Sequence, residues 1–271
     1  MSANRSRFFI LYNGIKNKTL KFVFRQGRQG ITLQKYAFVF IFANKTIEIM
    51  KYKDYEAAFS QARLSRYLNA CAGDKNKALI LYRYNLKLCQ KFYGVLGLFE
   101  VVFRNAVNEH YKRHFGDEDW IRTQIHAGGM LESSPQVSDV TRYISKLSDA
   151  GKYTHDRLVS SVSFGFWTYL FNKQPFRKGG QSLLAIFPHK TKGLGQRAIY
   201  NELMEIKSFR NRIAHHEPIC FDMDGNKDVE FAQSNYNQIL KYVGFLGYNK
   251  NELFYGLDVL PDRTIQKIRD L

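Results

Sequence analysis

From residue 54 onwards, apolar residues recur at three- and four-residue steps, the spacing of helices that bury one face. Asp74 is suited to cap the start of a long helix and Gly116 to end it. Gly94 and Gly97, inside that helix, indicate either a kink or a place where another helix packs closely. We therefore expect a mainly α-helical fold, with helices over residues 54–73, 74–114, 139–150, 156–171, 195–216, 229–244 and 261–271.

Residues 1–49 depart from this pattern. They contain nine lysines and arginines against one acid, Glu48, and two short strands are predicted at 22–24 and 36–42. Three interpretations compete: a basic arm that binds nucleic acid, a small β element, or an upstream extension that is not natively translated. We divide the chain into this extension and a helical domain over residues 50–271. Native peptides from the extension, detected by mass spectrometry, would exclude the third interpretation.

Composition narrows the class of protein. The formal charge of +17 favours a polyanionic partner, nucleic acid before a membrane surface. The three cysteines are widely spaced and show neither a zinc motif nor a disulfide framework. The longest apolar runs, such as 37–43, fall far short of the roughly 20 residues that span a bilayer, and we see no secretory signal. We expect a soluble cytoplasmic protein with no membrane partner.

The most concentrated chemistry lies in residues 209–218, at the end of the helix predicted to begin near Gly195. Pro218 disfavours helical geometry at the residue before it, so the helix should end at about the two histidines. A buried stripe precedes this end. It consists of Ile199, Leu203, Ile206, Phe209 and Ile213.

Helical geometry decides which of these side chains can act together. Asn211 and His215 share a face one turn apart, as do Arg212 and His216. Arg210 lies roughly 140° around the helix from His215, too far for direct contact in a regular helix. Either the last turn loosens, or both side chains reach a ligand that lies across the helix end.

Imidazole can transfer protons near neutral pH, and an arginine fork stabilises phosphate charge, so this stretch suits metal-free phosphodiester cleavage. The alternative is a capped helix end, where cationic side chains meet the helix dipole. His215, His216 and Glu217 make a poor metal site, since adjacent histidines on a helix point about 100° apart. We expect neither a metal nor another cofactor.

The pattern R-N-x-x-x-H followed by H-E-P resembles the motif of the Abi-like (abortive infection) family, part of the HEPN group of helical proteins. Three further segments match the same family in the same order. They are residues 81–85, 98–106 and 163–167. Together with the motif they cover roughly residues 50–245.

The resemblance implies a HEPN-like helical bundle that forms a homodimer, with two motifs facing each other in one RNA-cleaving site. His215 would be the acid–base residue, Arg210 would hold the scissile phosphate, and Asn211 would orient either of them. His216 and Arg212 would support the site. The 2′-hydroxyl of RNA can serve as nucleophile in such a reaction. The implied function is anti-phage or toxin-like RNA cleavage; the alternative is a non-catalytic RNA-binding protein that acts with a small RNA or an antitoxin.

Residues of the long second helix have three interpretations. Glu100 and Arg104 are one turn apart, so a surface salt bridge is the simplest account. Arg104 and Asn105, followed by His110, loosely repeat the spacing of the motif and suggest a second catalytic pair. The third interpretation, which we favour, makes Glu100, Arg104 and Asn105 supporting residues that pack beside the motif.

The connecting segments carry further expectations. Residues 116–138 should form a loop anchored in the core by Trp120 and Ile121, and 163–167 should be core packing rather than a base-stacking platform. Residues 222–226 predict a turn without the ligands of an EF-hand loop. The segment 172–195 is either a solvated basic loop or a guide for an RNA backbone. Its cations are Lys173, Arg177, Lys178, Lys190 and Lys192.

Overall fold

The computed structural model describes residues 50–222 and 224–271, so the expectations for the first 49 residues, including the two strands, lie outside it. The described part is mainly helical, as predicted, and contains no strand. Its helices are α1 Tyr52–Phe59, α2 Gln61–Ala70, α3 Lys75–Phe115, α4 Trp120–Gln124, α5 Val137–Asp149, α6 His155–Ser161, α7 Phe164–Tyr169, α8 Lys173–Lys178, α9 Gln196–Ala214, α10 Glu230–Phe245, α11 Lys250–Leu253 and α12 Asp262–Arg269, with a 3₁₀ turn at Leu183–Ile186.

Helix α3 is the scaffold of residues 51–271, which pack into one unit. Its 41 residues extend about 60 Å at 1.5 Å per residue. Asp74 caps its start, because the Asp74 carboxylate accepts the backbone N–H of Asn76 at 2.9 Å and of Lys77 at 3.0 Å. Gly116, in the left-handed conformation at φ 63°, ends it. The predicted cap and stop are both confirmed.

The two glycines inside α3 do not interrupt it. A Cβ atom on Gly94 would lie only 2.7 Å from Val259 Cγ1, so Gly94 allows the segment before α12 to pack against α3. Close packing is therefore the correct alternative, although the partner is a segment without regular secondary structure and not a helix. A Cβ atom on Gly97 would face open space.

Helices α9 and α10 bury their apolar faces against α3. The predicted stripe on α9 is buried at all five positions. Phe92 of α3 contacts Phe209 of α9, with ring centres 4.8 Å apart. Further along, the Ile219 N–H donates to the Asn85 side chain at 2.9 Å. The chain from 209 to 219 thus moves towards the start of α3, antiparallel to it.

Two predicted helices are each divided in two. Ser60, at φ 72°, separates α1 from α2, and Val162 and Ser163 adopt extended backbone between α6 and α7. The apolar spacing continues across both breaks because the residues on either side pack into the same core, which is why the pattern alone predicted unbroken helices.

The predicted aromatic anchors are in the core. Trp120 and Ile121 are fully buried, and Trp120 Nε1 donates to Asn108 Oδ1 at 2.9 Å. Phe164, Phe166 and Trp167 are buried as well, so 163–167 packs in the core as expected. In the described part of the chain, no helix is both long and apolar enough to cross a membrane.

Candidate functional site

Helix α9 ends in a capped turn that presents the two histidines. His215 is the C-cap residue, and its N–H donates to the Asn211 carbonyl at 2.9 Å. The next two N–H groups donate back to Ile213 and Arg212 at 3.0 and 2.8 Å, the paired bonds of a Schellman motif. The helix therefore ends at the histidines, as predicted.

His216 occupies the position in this cap where glycine is usual. Its φ of 57° lies in the left-handed region, which costs a non-glycine residue about 1–2 kcal/mol. Strained residues of this kind cluster at functional sites. Because His216 has left the helix, the predicted face shared with Arg212 does not form.

Arg210 forms an ion pair with Glu100 on α3. Its Nε lies 2.9 Å from Glu100 Oε1, and the two side chains are 39% and 24% exposed. Glu100 thus contacts the motif directly, as expected of a supporting residue, and the simple Glu100–Arg104 salt bridge is not what forms. Arg104 Nε is buried and has no hydrogen-bond partner within the described residues, and Asn105 is exposed.

Arg210 and His215 do not contact each other within the chain. The last turn of α9 is regular, so it does not loosen to bring the two side chains together. Side chains on a helix lean towards its N-terminus, and Arg210 accordingly reaches Glu100, whereas His215 lines a cleft that Arg210 does not line. The sequence left two ways for Arg210 and His215 to act together. With a regular last turn, the one that remains is a ligand that lies across the helix end and contacts both side chains. Asn211 is half-buried.

Arg212 holds the turn that follows the helix. Its Nη2 donates to the Pro218 carbonyl at 2.6 Å, and its Nε lies 3.7 Å from Glu217 Oε2, a charge contact too long for a hydrogen bond. The guanidinium also lies over the Phe231 ring, 5.0 Å from its centre. These contacts give Arg212 a structural role beneath the histidines.

His215 and His216 are exposed on an open cleft of about 840 Å³. The cleft lies between α2, the turn at 215–218 and a second turn at 224–227. A bridge between Phe221 and Lys227 closes that second turn, as predicted for residues 222–226. The cations on its walls are Arg63, Arg66 and Lys227, and its carboxylates are Glu217 and Asp224.

The three cleft cations were missed from the sequence. Arg63 and Arg66 lie about 150 residues before the motif, and no spacing links them to it. The contact that brings them there is tertiary, since Arg63 Nη2 donates to the His216 carbonyl. The only local signal was that two arginines three residues apart share a helical face.

His110 lies elsewhere, about 15 Å along α3 from Glu100 at 1.5 Å per residue. Its Nε2 is 3.0 Å from Ser182 Oγ, and its ring stacks on His114. Burial, with lesser effects of His114 and Arg113, lowers the pKa of His110. The structure does not bring His110 to the motif, so the loose repeat of the motif spacing does not build a second half of this site.

The five basic residues of 172–195 are also separate from the cleft. Three of them lie on the exposed side of α8, which forms within the predicted loop, and Lys178 pairs with Glu132 at 3.6 Å. None of the five lines the cleft. They are Lys173, Arg177, Lys178, Lys190 and Lys192.

Residues suited to a metal do not cluster in the described ranges: no three His, Cys, Asp or Glu side chains are grouped to hold an ion. All three cysteines are free, and burial raises the pKa of Cys89 to about 11. A thiol with so high a pKa is mostly protonated near neutral pH and a poor nucleophile.

Comparisons with known proteins complete the description. A scan against protein-family models, a search of curated proteins and a search of solved structures each found no match for this chain. The resemblance to the Abi-like family therefore rests on the four sequence segments given above.

Proposed function

We propose that this protein is a metal-independent endoribonuclease of the Abi-like HEPN type, acting in the cytoplasm in abortive-infection defence against phage. The observation that carries the proposal is the position of His215. It lies exposed at a helix end, on a cleft whose cations outnumber its carboxylates, where a phosphodiester strand can reach it.

The chemistry needs two proton transfers. The 2′-hydroxyl of the RNA attacks the neighbouring phosphorus, the bond to the 5′-oxygen breaks, and a 2′,3′-cyclic phosphate and a 5′-hydroxyl result. His215 takes the proton of the 2′-hydroxyl or returns one to the leaving oxygen. In a homodimer, a second copy of the motif supplies the other transfer. Asn211 lies one turn before His215, where its amide can orient the histidine or the phosphate.

Arg210 would stabilise the phosphate charge once its guanidinium is no longer held by Glu100. The ion pair is partly exposed, and such pairs contribute only about 0–1 kcal/mol, so an RNA phosphate can compete with the Glu100 carboxylate for Arg210. This competition fits an enzyme that stays dormant until RNA or a trigger arrives.

The ion pair between Arg210 and Glu100 also favours a second candidate function. If Arg210 stays on Glu100, the motif binds RNA without cleaving it, and the protein acts in a complex with a small RNA or an antitoxin. The two candidates differ in whether cleavage depends on His215.

The test is cleavage of total RNA by the purified full-length protein with EDTA present. We expect cleavage by the unaltered protein and none by His215→Ala or Arg210→Ala, because the first loses the proton carrier and the second the phosphate contact. His126→Ala is the matched control, since His126 is an exposed histidine on a different surface. Undiminished cleavage by both motif variants would reject the catalytic roles. Inactivity of every protein would favour the RNA-binding candidate, and co-purified RNA would then be sequenced.

A further inference from the structure

Helix α2 forms one wall of the cleft and is charged on one side only. Leu64 and Tyr67 are buried in the core, while Arg63, Arg66 and Asn69 lie on the exposed face, one turn apart. The helix contains two arginines and no acidic residue. Its exposed face therefore presents an uncompensated pair of positive charges to the cleft.

Arg63 fixes this wall beside the motif. One of its N–H groups donates to the His216 carbonyl, the peptide oxygen directly after His215. An arginine has five N–H donors in a planar fork, so four remain for another partner. Any strand that touches His215 consequently passes within reach of α2.

Arg66 lies one turn further along the same face. Its guanidinium carbon lies 5.6 Å from the centre of the Phe221 ring, and the residue is exposed and lines the cleft. On the opposite wall, Lys227 Nζ donates to the Arg269 carbonyl at 3.2 Å and retains two further protons.

The carboxylates do not cancel these charges. Of the two that line the cleft, Glu217 already faces the Arg212 guanidinium at 3.7 Å, which leaves Asp224 opposite three permanent cations. A volume of about 840 Å³ lies in the upper part of the range for small-ligand sites, more than one phosphate needs. Charge and size both fit a short stretch of a polyanionic strand.

We propose that α2 is a phosphate-binding wall, in which Arg63 and Arg66 bind the backbone phosphates next to the one held at His215 on a single RNA strand. This inference rests on the proposed function for the identity of the strand. It adds a binding surface that lies outside the motif and determines how the strand lies across the histidines.

The test measures binding without cleavage. A fluorescein-labelled single-stranded 2′-O-methyl RNA, which lacks the attacking hydroxyl, is titrated with full-length protein while fluorescence anisotropy is recorded at salt concentrations between about 50 and 200 mM. Arg66→Ala is the main variant because Arg63 also holds the turn. Arg142→Ala is the matched control, an exposed arginine that pairs with Asp139 on α5, away from the cleft.

We expect Arg66→Ala to weaken binding about tenfold, the loss of one charged hydrogen bond. The slope of log affinity against log salt should fall in magnitude by about 0.7, the value for one phosphate contact on a single strand. Arg66→Lys should keep the slope, and Arg142→Ala should keep both affinity and slope. Arg66→Ala with unchanged affinity and slope would overturn the inference.

Failure of this inference is separable from failure of the proposed function. If His215→Ala stops cleavage while Arg66→Ala binds the probe normally, the phosphate-binding role of α2 is rejected and the nuclease proposal is supported. If Arg66→Ala loses affinity while no protein cleaves RNA, the phosphate-binding role of α2 is supported and the RNA-binding candidate is favoured over the nuclease. Circular dichroism of each variant establishes that the helical fold is intact before binding is compared.

Discussion

His110 and His215 each follow an Arg–Asn pair, and the surroundings of the two histidines are opposite. His110 lies inside α3, five residues before its end, half-buried, with its ring stacked on His114 and its Nε2 close to Ser182 Oγ. His215 is at the end of α9, exposed on a cationic cleft. Inside a helix, the turns on both sides and the packed neighbours cover a side chain, whereas a C-cap residue is covered on one side only. The position in the helix, more than the spacing from the arginine, separates a candidate acid–base residue from a packed one.

The largest expected effect separates the two histidines by activity. If the proposed function is correct, His215→Ala lowers RNA cleavage about 10²–10⁴-fold, the usual contribution of acid–base catalysis. His110→Ala should leave the cleavage rate nearly unchanged, because its ring serves packing. Rates are measured on the same RNA with both proteins shown to be folded. A loss at His110 as large as that at His215 would give the second histidine a catalytic role after all.

At the neighbouring His216, we expect the effect of a substitution on stability to depend on how well the new residue tolerates a positive φ. His216→Val is expected to lower the free energy of unfolding by about 1–2 kcal/mol, since a β-branched residue strongly resists a φ of 57°. His216→Gly should change stability by less than about 1 kcal/mol, because relief of strain is offset by chain entropy. Urea unfolding of both variants measures this. Equal destabilisation by glycine and valine would show that the imidazole itself, and not the turn, is what stabilises the cap.

Around His110 the expected effect is smaller and structural. Ser182→Ala removes the hydrogen bond to His110 and should cost about 1 kcal/mol of unfolding free energy, with RNA cleavage unaffected. Urea unfolding and a cleavage assay of the one variant suffice. If RNA cleavage falls while the free energy of unfolding is unchanged, the region of His110 contributes to cleavage, and its role is not purely structural.

The smallest effect is the pH dependence of stability. Burial lowers the pKa of His110 in the folded protein, so the unfolded chain binds its proton more readily. His110 should therefore favour folding fully above the ordinary histidine pKa of about 6.5 and progressively less as pH falls below it. Urea unfolding across this range should show a shallower decline in His110→Gln than in the unaltered protein. His126→Gln is the control, and a decline that is identical in all three proteins would contradict the assignment.

Much of the fold was predictable because its signals are local. Asp74 and Gly116 each act within one helical turn, and the stripe on α9 repeats every three or four residues; the structure places all of them as the sequence predicts. The breaks at Ser60 and Val162 were not predictable from apolar spacing, since residues on both sides of each break pack in or against the same core.

The site was predictable only in part, because its contacts are between distant segments. The sequence predicted that the helix ends at the histidines, and the favoured interpretation of Glu100 put it beside the motif. No local signal named its partner, which is Arg210, 110 residues later. Arg63 and Arg66 carry no mark in the sequence that connects them to the histidines. Their role in the cleft follows from the packing of α2 against the motif turn.

That contact between α2 and the motif turn has a consequence for how such a protein diverges. The proposed catalytic residues and the proposed phosphate-binding wall lie on separate helices, and Arg63 of α2 donates to the His216 carbonyl of the motif turn. Substitutions at Arg66 or Asn69 alter the charge and shape of the cleft without changing any residue from 209 to 218. Two descendants of one ancestor can thus keep an identical motif while selection changes which molecules reach it.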